Sequence, residues 1–384
     1  MKHGFSILDA DLHVIEPYDL YLKYMDPKWG DRIPRAEPRK LNVGELHDFT
    51  TADGSPARKP WREAPPQAAL TASSRRINQR KEQIAPYYTE AVEQQFDPAS
   101  QLKAMDREGI DVAVLFRTFP LHADESQEPE YANALCQAWN DWITDFCKEN
   151  PRRMKAAGLI TLHDVNLAIV EARRAVKELG HVGLCMIPQP VNGRHVQDGY
   201  FDPLWTAIEE LGVPVCFHPT AGNNQPCAEN VFMGHPAAAI LMSTFAQPLG
   251  NVMGVAEFIL GGILERHPRL TVGFLEGNSS WLPWLLYRLD ERWEIFGADS
   301  PITLSLKPSE YFLRQCFAHI DVEEYPAVDV LRRFGADNFF FSTDYPHADC
   351  SFPHATEKFL ALEGIDAASK RKILWDNPAR MYNL

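Results

Sequence analysis

Residue types that bind metal ions recur in this sequence directly after short apolar segments. Asp9, Asp11 and His13 follow an apolar segment at residues 5–8. Side chains two positions apart in a strand point to the same side, so these three would face one ligand together. Later apolar segments are each followed at once by one further residue of this kind: His218, Glu276 and Asp344. Carboxylates and imidazoles together suit Zn, Mn or Fe, so the pattern predicts a divalent-metal site.

Eight apolar segments are predicted to be β-strands, with helical segments between them. Their boundaries are residues 5–8, 110–116, 155–160, 183–187, 213–217, 270–275, 314–319 and 338–342. Alternation of strands and helices favours a parallel sheet, and eight units favour a (β/α)8 TIM barrel. The alternative is a doubly wound open sheet, although no GxGxxG motif follows any of the strands. In a barrel the carboxyl ends of all strands share one face, which would bring the metal-binding residues together.

The predicted barrel takes up the whole chain, residues 1–384, as a single domain, because barrels of this size fold as one unit. Residues 45–96 depart from the strand–helix pattern, since they are polar, contain several prolines and are too long for a simple loop. We predict that they form an insertion after the first strand, which serves as a lid over the barrel mouth or as an oligomer contact. A surface loop without such a role is the alternative.

Charge and composition limit the partners of this protein. The formal net charge of -14 at pH 7 argues against nucleic acid and against anionic membrane surfaces. The seven cysteines form no CxxC pair, which is typical of a reducing compartment, and the N-terminal residues show no signal-peptide pattern. We therefore expect a cytoplasmic protein with a small-molecule substrate. We also expect a homo-oligomer such as a dimer, with a related hetero-subunit as the alternative.

The sequence predicts chemical roles for residues around the metal site. Asp344 would serve as a metal ligand and a proton shuttle, and Glu276 as a base or as a ligand of a second ion. His347 lies three residues after Asp344, where it would orient that carboxylate, contact the substrate or only cap a helix. Arg117 and His235 are predicted to bind the substrate. A buried salt bridge explains Arg117 equally well, and a surface position is the simpler account of His235.

Together these motifs resemble the amidohydrolase superfamily, in particular its amidohydrolase 2 branch, which includes aminocarboxymuconate-semialdehyde, resorcylate and carboxyvanillate decarboxylases. The resemblance covers most of the chain and rests on DADLHVIEP at 9–17, FHP at 217–219, EGNSSWLP at 276–283, STDYPH at 342–347 and NPARMY at 377–382. It implies a distorted (β/α)8 barrel with these metal ligands: Asp11, His13, His218 and Asp344. The sequence departs from the family pattern at Glu276, where the similar decarboxylases have a catalytic histidine.

Three functions are compatible with this site. Because Glu276 stands where that histidine is expected, we predict first a metal-dependent hydrolase that uses metal-activated water on a small organic substrate, aromatic or carboxylate-bearing. The first alternative is a nonoxidative decarboxylase of an aromatic or unsaturated acid. The second is a dinuclear iron or manganese oxygenase component on the same barrel. One Zn, Mn or Fe ion is expected, and the carboxylates of Asp11, Glu276 and Asp344 leave room for a second.

Overall fold

Eight parallel β-strands form the centre of the protein in a computed structural model that describes residues 1–55, 67–118, 127–186, 190–219, 235 and 237–384. They pair in the order β1 to β8. Their bounds are β1 Leu8–His13, β2 Val112–Phe116, β3 Met154–Leu159, β4 Gly183–Met186, β5 Val215–Phe217, β6 Val272–Phe274, β7 Cys316–Ile320 and β8 Phe339–Phe341. The eighth strand returns beside the first, where His13 N–H donates to the Tyr345 carbonyl at 2.7 Å. This nearly closed barrel confirms the predicted TIM-barrel fold.

Most of the strands are apolar over their whole length because both of their faces are buried. The strand β8 consists of three phenylalanines, all of them fully buried. A barrel strand packs against the barrel interior on one side and against helices on the other, so it has no solvent-facing polar side. For this reason the apolar segments of the sequence predict β2 to β8 within a few residues of their bounds.

The first strand differs from the others because it carries charge inside the barrel. Its sequence is LDADLH, and all six residues are buried. The prediction that the strand ends at Leu8 is wrong, since the strand begins there and contains Asp9, Asp11 and His13. Its pairing with β2 shifts register between Asp9 and Leu12. Such an irregularity redirects side chains, and here it separates the contacts of Asp9 from those of the other two.

Helices connect the strands on the outside of the barrel. The described α-helices are α1 Leu20–Tyr24, α2 Gln67–Glu93, α3 Pro98–Glu108, α4 Pro129–Cys147, α5 Val165–Lys177, α6 Asp202–Leu211, α7 Ala238–Leu260, α8 Ile263–Arg266, α9 Leu282–Phe296, α10 Pro308–Gln315, α11 Ala327–Phe334, α12 Ala355–Ala361, α13 Ala367–Arg371 and α14 Asn377–Tyr382. Asp97 caps α3 by accepting the N–H of Ser100 at 2.8 Å, and Gly109 ends it with a φ of 78°. No described helix combines the length and apolar character needed to cross a membrane.

The segment 45–96 contains the long helix α2, which ends against the loop after β8. The ring of Tyr88 stacks on the ring of Tyr345 with centroids 5.4 Å apart, and the Tyr88 hydroxyl lies 3.3 Å from Sγ of Cys350. Residues 56–66 of this segment lie outside the described part of the chain. Helix α2 therefore packs at the carboxyl-end face of the barrel, and its role as a lid or an oligomer contact stays a prediction.

Three buried carboxamides hold the amino end of the barrel. Each donates to two backbone carbonyls: Asn377 to Ala336 and Phe339, Asn338 to Leu313 and Cys316, and Gln315 to His267 and Leu270, at 2.6–3.0 Å. These bonds join the segments that lead into neighbouring strands. Such a bond contributes roughly 0.5–1.5 kcal/mol to stability, and a buried carbonyl left without a donor costs more.

Candidate metal centre

Four of the predicted ligands meet at the carboxyl end of the barrel. Nε2 of His13 lies 3.2 Å from Nε2 of His218 and 3.5 Å from Oδ1 of Asp11. The same His13 nitrogen lies 3.5 Å from Oδ1 of Asp344, and Nε2 of His218 lies 3.4 Å from Asp11. The four side chains come from β1 and from the residues that follow β5 and β8. The fold thus brings close together the four residues that the sequence analysis predicted as metal ligands.

The spacing of three of these atoms fits one divalent cation. A tetrahedral cation with bonds of about 2.1 Å holds its ligand atoms about 3.4 Å apart, and the separations among Asp11, His13 and His218 are 3.2–3.5 Å. Asp344 lies 3.5 Å from His13 but groups with His13 and His347 rather than with Asp11 and His218. Asp11 is fully buried, and neither of its oxygens accepts a hydrogen bond from the described residues. A buried carboxylate of this kind is costly unless a cation compensates for its charge. The donor set therefore suits a bound metal ion.

Both imidazoles are held in the orientation that a metal ligand needs. Nδ1 of His13 donates to the carbonyl of Arg117 at 2.7 Å, and Nδ1 of His218 donates to the carbonyl of Pro219 at 2.8 Å. A carbonyl only accepts hydrogen bonds, so each neutral ring carries its proton on Nδ1 and a lone pair on Nε2. Two such lone pairs 3.2 Å apart repel each other unless a cation lies between them.

The two rings differ in their proton affinity. Burial, together with the neighbouring His347 and His218 rings, holds the pKa of His13 well below its usual value. Burial acts to lower the pKa of His218. The negative charges of Asp11 and Glu276 together have the larger effect, so the pKa of His218 is raised overall. Because a metal ligand must be unprotonated, cation binding at this site would compete with a proton on His218.

Asp344 is both a candidate ligand and the partner of His347. Nδ1 of His347 lies 2.6 Å from Oδ1 of Asp344. Burial opposes the charged imidazole, but the Asp344 carboxylate outweighs it and raises the pKa of His347 to about 10. Asp344 has a φ of 58°, in the left-handed region that residues with a Cβ rarely adopt. Backbone strain of this kind concentrates at functional sites.

Glu276 lies at the edge of the cluster. Its Oε2 is 3.5 Å from Nε2 of His218, and its Oε1 accepts from Nε2 of Gln247 at 3.2 Å. Its φ is also positive, at 46°. Burial and the negative charge of Asp344 raise the pKa of Glu276 to about 8, whereas a bound cation acts in the opposite direction. The fold brings Glu276 to the site, and its role as a base or second-ion ligand stays a prediction.

Asp9 stands behind the cluster rather than in it. One of its oxygens accepts the N–H of Thr343 at 3.1 Å, and the other accepts the N–H of Asp11 at 3.2 Å. Burial raises the pKa of Asp9 to about 7. The expectation that Asp9 faces the same ligand as Asp11 and His13 is therefore wrong. Since Thr343 directly precedes Asp344, Asp9 instead fixes the turn that orients this candidate ligand.

The two predicted substrate-binding residues do not join the cluster. Arg117 is buried behind His13. Burial lowers the pKa of the Arg117 guanidinium, and the negative charge of Glu16 is among the effects that raise it. His235 is exposed, and its Nδ1 accepts the N–H of Ala237 at 3.0 Å. His235 is not among the described His, Cys, Asp and Glu groups whose ligand atoms lie within 4.8 Å of one another. Substrate binding by Arg117 and His235 stays a prediction.

A polar cavity of about 340 Å³ opens beside Glu276 and Asp344. Two of its lining residues, His319 and Ser342, have buried polar atoms without a hydrogen-bond partner among the described residues. The sequence analysis did not select either residue, although His319 and Ser342 are the last residues of the predicted strands 314–319 and 338–342. The signal that identifies His319 is its place one residue before the carboxyl end of β7.

A family model described as amidohydrolase matches residues 9–384. The chain belongs to the amidohydrolase family. This amidohydrolase is 28% identical to the gamma-resorcylate decarboxylase of Rhodococcus jostii (strain RHA1) over 299 residues, which cover 74% of this chain and 87% of that protein. It is 26% identical to the 2-amino-3-carboxymuconate-6-semialdehyde decarboxylase of Dictyostelium discoideum over 251 residues, 65% of this chain and 67% of that one. These relatives confirm the predicted amidohydrolase 2 branch.

Solved structures show the same fold. An amidohydrolase from Mycobacterium avium subsp. paratuberculosis K-10 superposes with a TM-score of 0.75 at 22% identity, over 99% of both chains. A dihydroxybenzoic acid decarboxylase from Polaromonas sp. JS666, with bound manganese and the inhibitor 2-nitroresorcinol, superposes with a TM-score of 0.68 at 22% identity, over 83% of this chain and 94% of that one. At this identity the likeness establishes the barrel alone. The identity and number of the metal ions in this chain stay predictions.

The family assignment makes this protein an enzyme of the amidohydrolase superfamily. The relatives named above are decarboxylases. They favour nonoxidative decarboxylation, the first alternative, over hydrolysis. Hydrolysis was the first prediction, and none of these relatives supports it.

Proposed function

We propose that this enzyme is a metal-dependent nonoxidative decarboxylase of small aromatic acids that carry a hydroxyl group beside the carboxylate. The observation that carries the proposal is the buried group of Asp11, His13 and His218, spaced for one cation, with Asp344 beside His13 at the edge of a polar cavity. The similarity to gamma-resorcylate decarboxylases supports the same reaction and the same class of substrate. Hydrolysis has no comparable support.

The reaction replaces a bond from the ring carbon to the carboxylate carbon with a bond to hydrogen. One proton is taken up, CO2 leaves, and no oxidant or reductant is needed. When bound, a divalent cation would supply a positive charge that holds the substrate carboxylate and the adjacent hydroxyl oxygen. The chain itself must orient the ring, exclude water and deliver one proton to the ring carbon.

Glu276 is the proposed source of that proton. It lines the cavity, and burial and the charge of Asp344 raise its pKa to about 8, so its carboxyl group can hold a proton near neutral pH. A carboxyl group at its ordinary pKa would be a poor donor in place of the catalytic histidine of similar decarboxylases. Burial and the charge of Asp344 act against that objection. A bound cation lowers this pKa again, and the balance sets the pH range in which Glu276 donates.

Asp344 and His347 would share a different task. The carboxylate of Asp344 faces His13 on one side and the imidazole of His347 on the other. Through this contact His347 fixes the orientation of the Asp344 carboxylate while that carboxylate serves as a ligand. The pair is therefore proposed to position the ligand set rather than to protonate the ring.

The direct test is release of CO2 by the purified protein loaded with Mn or Zn. The substrates are 2-hydroxybenzoate and its dihydroxy homologues with a ¹³C-labelled carboxylate. We expect ¹³CO2 and the matching phenol in equal amounts, and no ¹³CO2 after removal of the metal with a chelator. Asp329→Asn, which changes an exposed aspartate that pairs with Arg332, is the control and should retain activity.

The alternative functions give different products. A hydrolase of this fold would cleave ester or amide analogues of these acids without forming CO2 from the carboxylate. An oxygenase would consume O2 and require iron or manganese. Cleavage of the analogues, or O2 uptake, combined with no ¹³CO2 from any of the acids, would refute the proposed decarboxylation.

A further inference from the structure

Two polar side chains in the cavity beside Asp344 have no part in the proposed metal site. Both ring nitrogens of His319 and the hydroxyl of Ser342 are buried and have no hydrogen-bond partner among the described residues. His319 exposes 6% of its surface and Ser342 exposes 2%. Such atoms occur elsewhere in the described chain too, for example in Thr356, but His319 and Ser342 line one cavity, so a ligand bound there would be their partner.

Both side chains belong to the part of the wall formed by the last two strands. His319 pairs in register with Phe340 of β8, and Ser342 lies two residues beyond Phe340. Both line the cavity together with Glu276 and Asp344. A small molecule whose carboxylate lies at the metal cluster would therefore extend toward His319 and Ser342.

Glu324 holds the loop beside His319 in place. Its Oε1 accepts the N–H groups of Ser279 and Ser280 at 2.8 and 2.7 Å, and its Oε2 accepts the N–H of Asp321 at 3.1 Å. These bonds join the loop after β6 to the loop after β7. Groups on such a fixed wall can bind a ligand without first being ordered.

The charge of the cavity selects the group that can bind there. Asp321 and Asp349 line it together with Glu276 and Asp344, and the remaining lining side chains apart from His319 are neutral. A second carboxylate on the substrate would meet this negative field and be disfavoured. A hydroxyl carries no charge and both donates and accepts, so it can pair with an imidazole nitrogen and a serine hydroxyl at once.

The size of the cavity suits a small substrate. Its volume is about 340 Å³, at the small end of the range of roughly 300–1,000 Å³ that is typical of ligand pockets. A benzoic acid with two hydroxyl groups is compatible with such a cavity.

We propose that His319 and Ser342 form a subsite for a second ring hydroxyl of the substrate, at ring position 4 or 5, on the side away from the carboxylate. The inference rests on the proposed function, since it names the substrate class of the same site. His319 and Ser342 determine specificity in this account, and neither binds the metal nor transfers the proton.

The test measures binding rather than turnover, with probes in which a nitro group replaces the carboxylate and no CO2 can form. 2-Nitrophenol lacks the second hydroxyl, whereas 4-nitrobenzene-1,3-diol and 2-nitrobenzene-1,4-diol place it at position 4 or 5. Metal-loaded wild type should bind at least one diol about tenfold tighter than 2-nitrophenol. His319→Phe and Ser342→Ala should bring this ratio close to one, while the affinity for 2-nitrophenol changes less than about threefold.

Two further variants control the experiment. His319→Asn keeps a donor and an acceptor and should retain part of the preference for the diol. Ser351→Ala is the matched control for Ser342→Ala, since Ser351 lines the same cavity but already accepts a hydrogen bond from Lys358 at 3.3 Å. It should leave the ratio unchanged. The metal content of every variant is measured first and should equal that of the wild type.

The outcomes separate this inference from the proposed function. If wild type does not prefer either diol, or if the variants keep the full preference, the subsite is refuted whether or not the enzyme releases CO2. If the preference is present and is lost in His319→Phe, while no hydroxybenzoate releases CO2, the subsite stands and the proposed decarboxylation is refuted.

Discussion

The buried carboxamides at the amino end of the barrel differ from the buried polar groups beside its cavity. The carboxamides are satisfied by the protein, as when Asn377 donates to the carbonyls of Ala336 and Phe339. At the carboxyl end Asp11 and His319 are similarly buried and have no hydrogen-bond partner among the described residues. A satisfied group contributes to stability, whereas an unsatisfied one costs stability until a ligand pairs with it. The difference separates the end that maintains the fold from the end that binds ligands.

Two pairs of turns show a similar contrast in the backbone. Positive φ angles in the turns that lead into β2 and β5 fall on Gly109 and Gly212, at 78° and 68°, where no Cβ is strained. In the turns that follow β6 and β8 they fall on Glu276 and Asp344, at 46° and 58°. Residues with a Cβ adopt this region at a cost, so these two positions are occupied for their carboxyl groups rather than for the turn.

The largest effect is expected from a change in the ligand set. Asp344→Asn keeps the shape of the side chain but removes a negative ligand and the charge that faces His347. We expect decarboxylation to fall about 10³-fold or more, together with loss of bound metal. The measurements are ¹³CO2 release and elemental analysis, with Asp329→Asn as the matched control. Full activity with full metal content in Asp344→Asn would show that the carboxyl-end cluster is not the catalytic site.

A smaller loss is expected from Glu276→Gln, which removes the ionisable proton and keeps the shape. If Glu276 donates the proton, turnover should fall roughly 10²-fold while the metal content stays the same. If it binds a second ion, the bound metal should fall by half instead. Unchanged turnover with unchanged metal content would leave Glu276 with a structural role only, contrary to the proposed mechanism.

At the amino end a substitution should change stability and leave chemistry intact. Asn377→Leu leaves the carbonyls of Ala336 and Phe339 without their side-chain donor. We expect the free energy of unfolding in urea to fall by about 1–3 kcal/mol, with kcat per folded molecule unchanged. Asn166→Leu, at an exposed position of α5, is the control and should have little effect. A loss of metal affinity in Asn377→Leu would contradict the division between the two ends.

The smallest effect concerns the pH dependence of stability. His181 is buried beside the start of β4, where its Nε2 lies 2.8 Å from the hydroxyl of Thr144. Burial and the charge of Arg174 lower the pKa of His181 to about 3. The folded protein thus favours the neutral ring of His181. The contribution of this neutral ring to the free energy of unfolding is fully present above the unfolded pKa of about 6.5, and it is lost as the pH falls toward 3.

We therefore expect wild type to lose about 1–2 kcal/mol more stability than His181→Gln between pH 7 and pH 5. Urea unfolding at the two pH values provides the comparison. Equal losses in wild type and variant would show that His181 is protonated in the folded protein.

The sequence predicted the barrel and the ligand set because both depend on local patterns. Buried parallel strands are apolar throughout, and ligands directly after them, such as His218 and Asp344, must lie on one face. The bounds of β1 were not predictable in this way, because charge inside a strand looks like the end of a strand. The different contacts of Asp9 and Asp11 depend on a register shift against β2 that no local pattern reveals.

His319 shows a second limit of local reasoning. A histidine within an apolar strand more often has hydrogen-bond partners in the protein core than a bound ligand. Only its contacts in the folded structure distinguish the two cases. The substitution of Glu276 for a family histidine led to an expectation of hydrolysis. The effect of burial and of Asp344 on its pKa, which depends on three-dimensional contacts, makes a proton donor plausible at this position.

The central claim is that the cluster of Asp11, His13, His218 and Asp344 holds a divalent cation. Anomalous diffraction at the absorption edge of the metal, from crystals of protein loaded with Mn or Zn, tests it most directly. The account predicts a peak about 2.0–2.3 Å from the ligand atoms of Asp11, His13, His218 and Asp344. A peak elsewhere in the molecule, with none at this cluster, would contradict it.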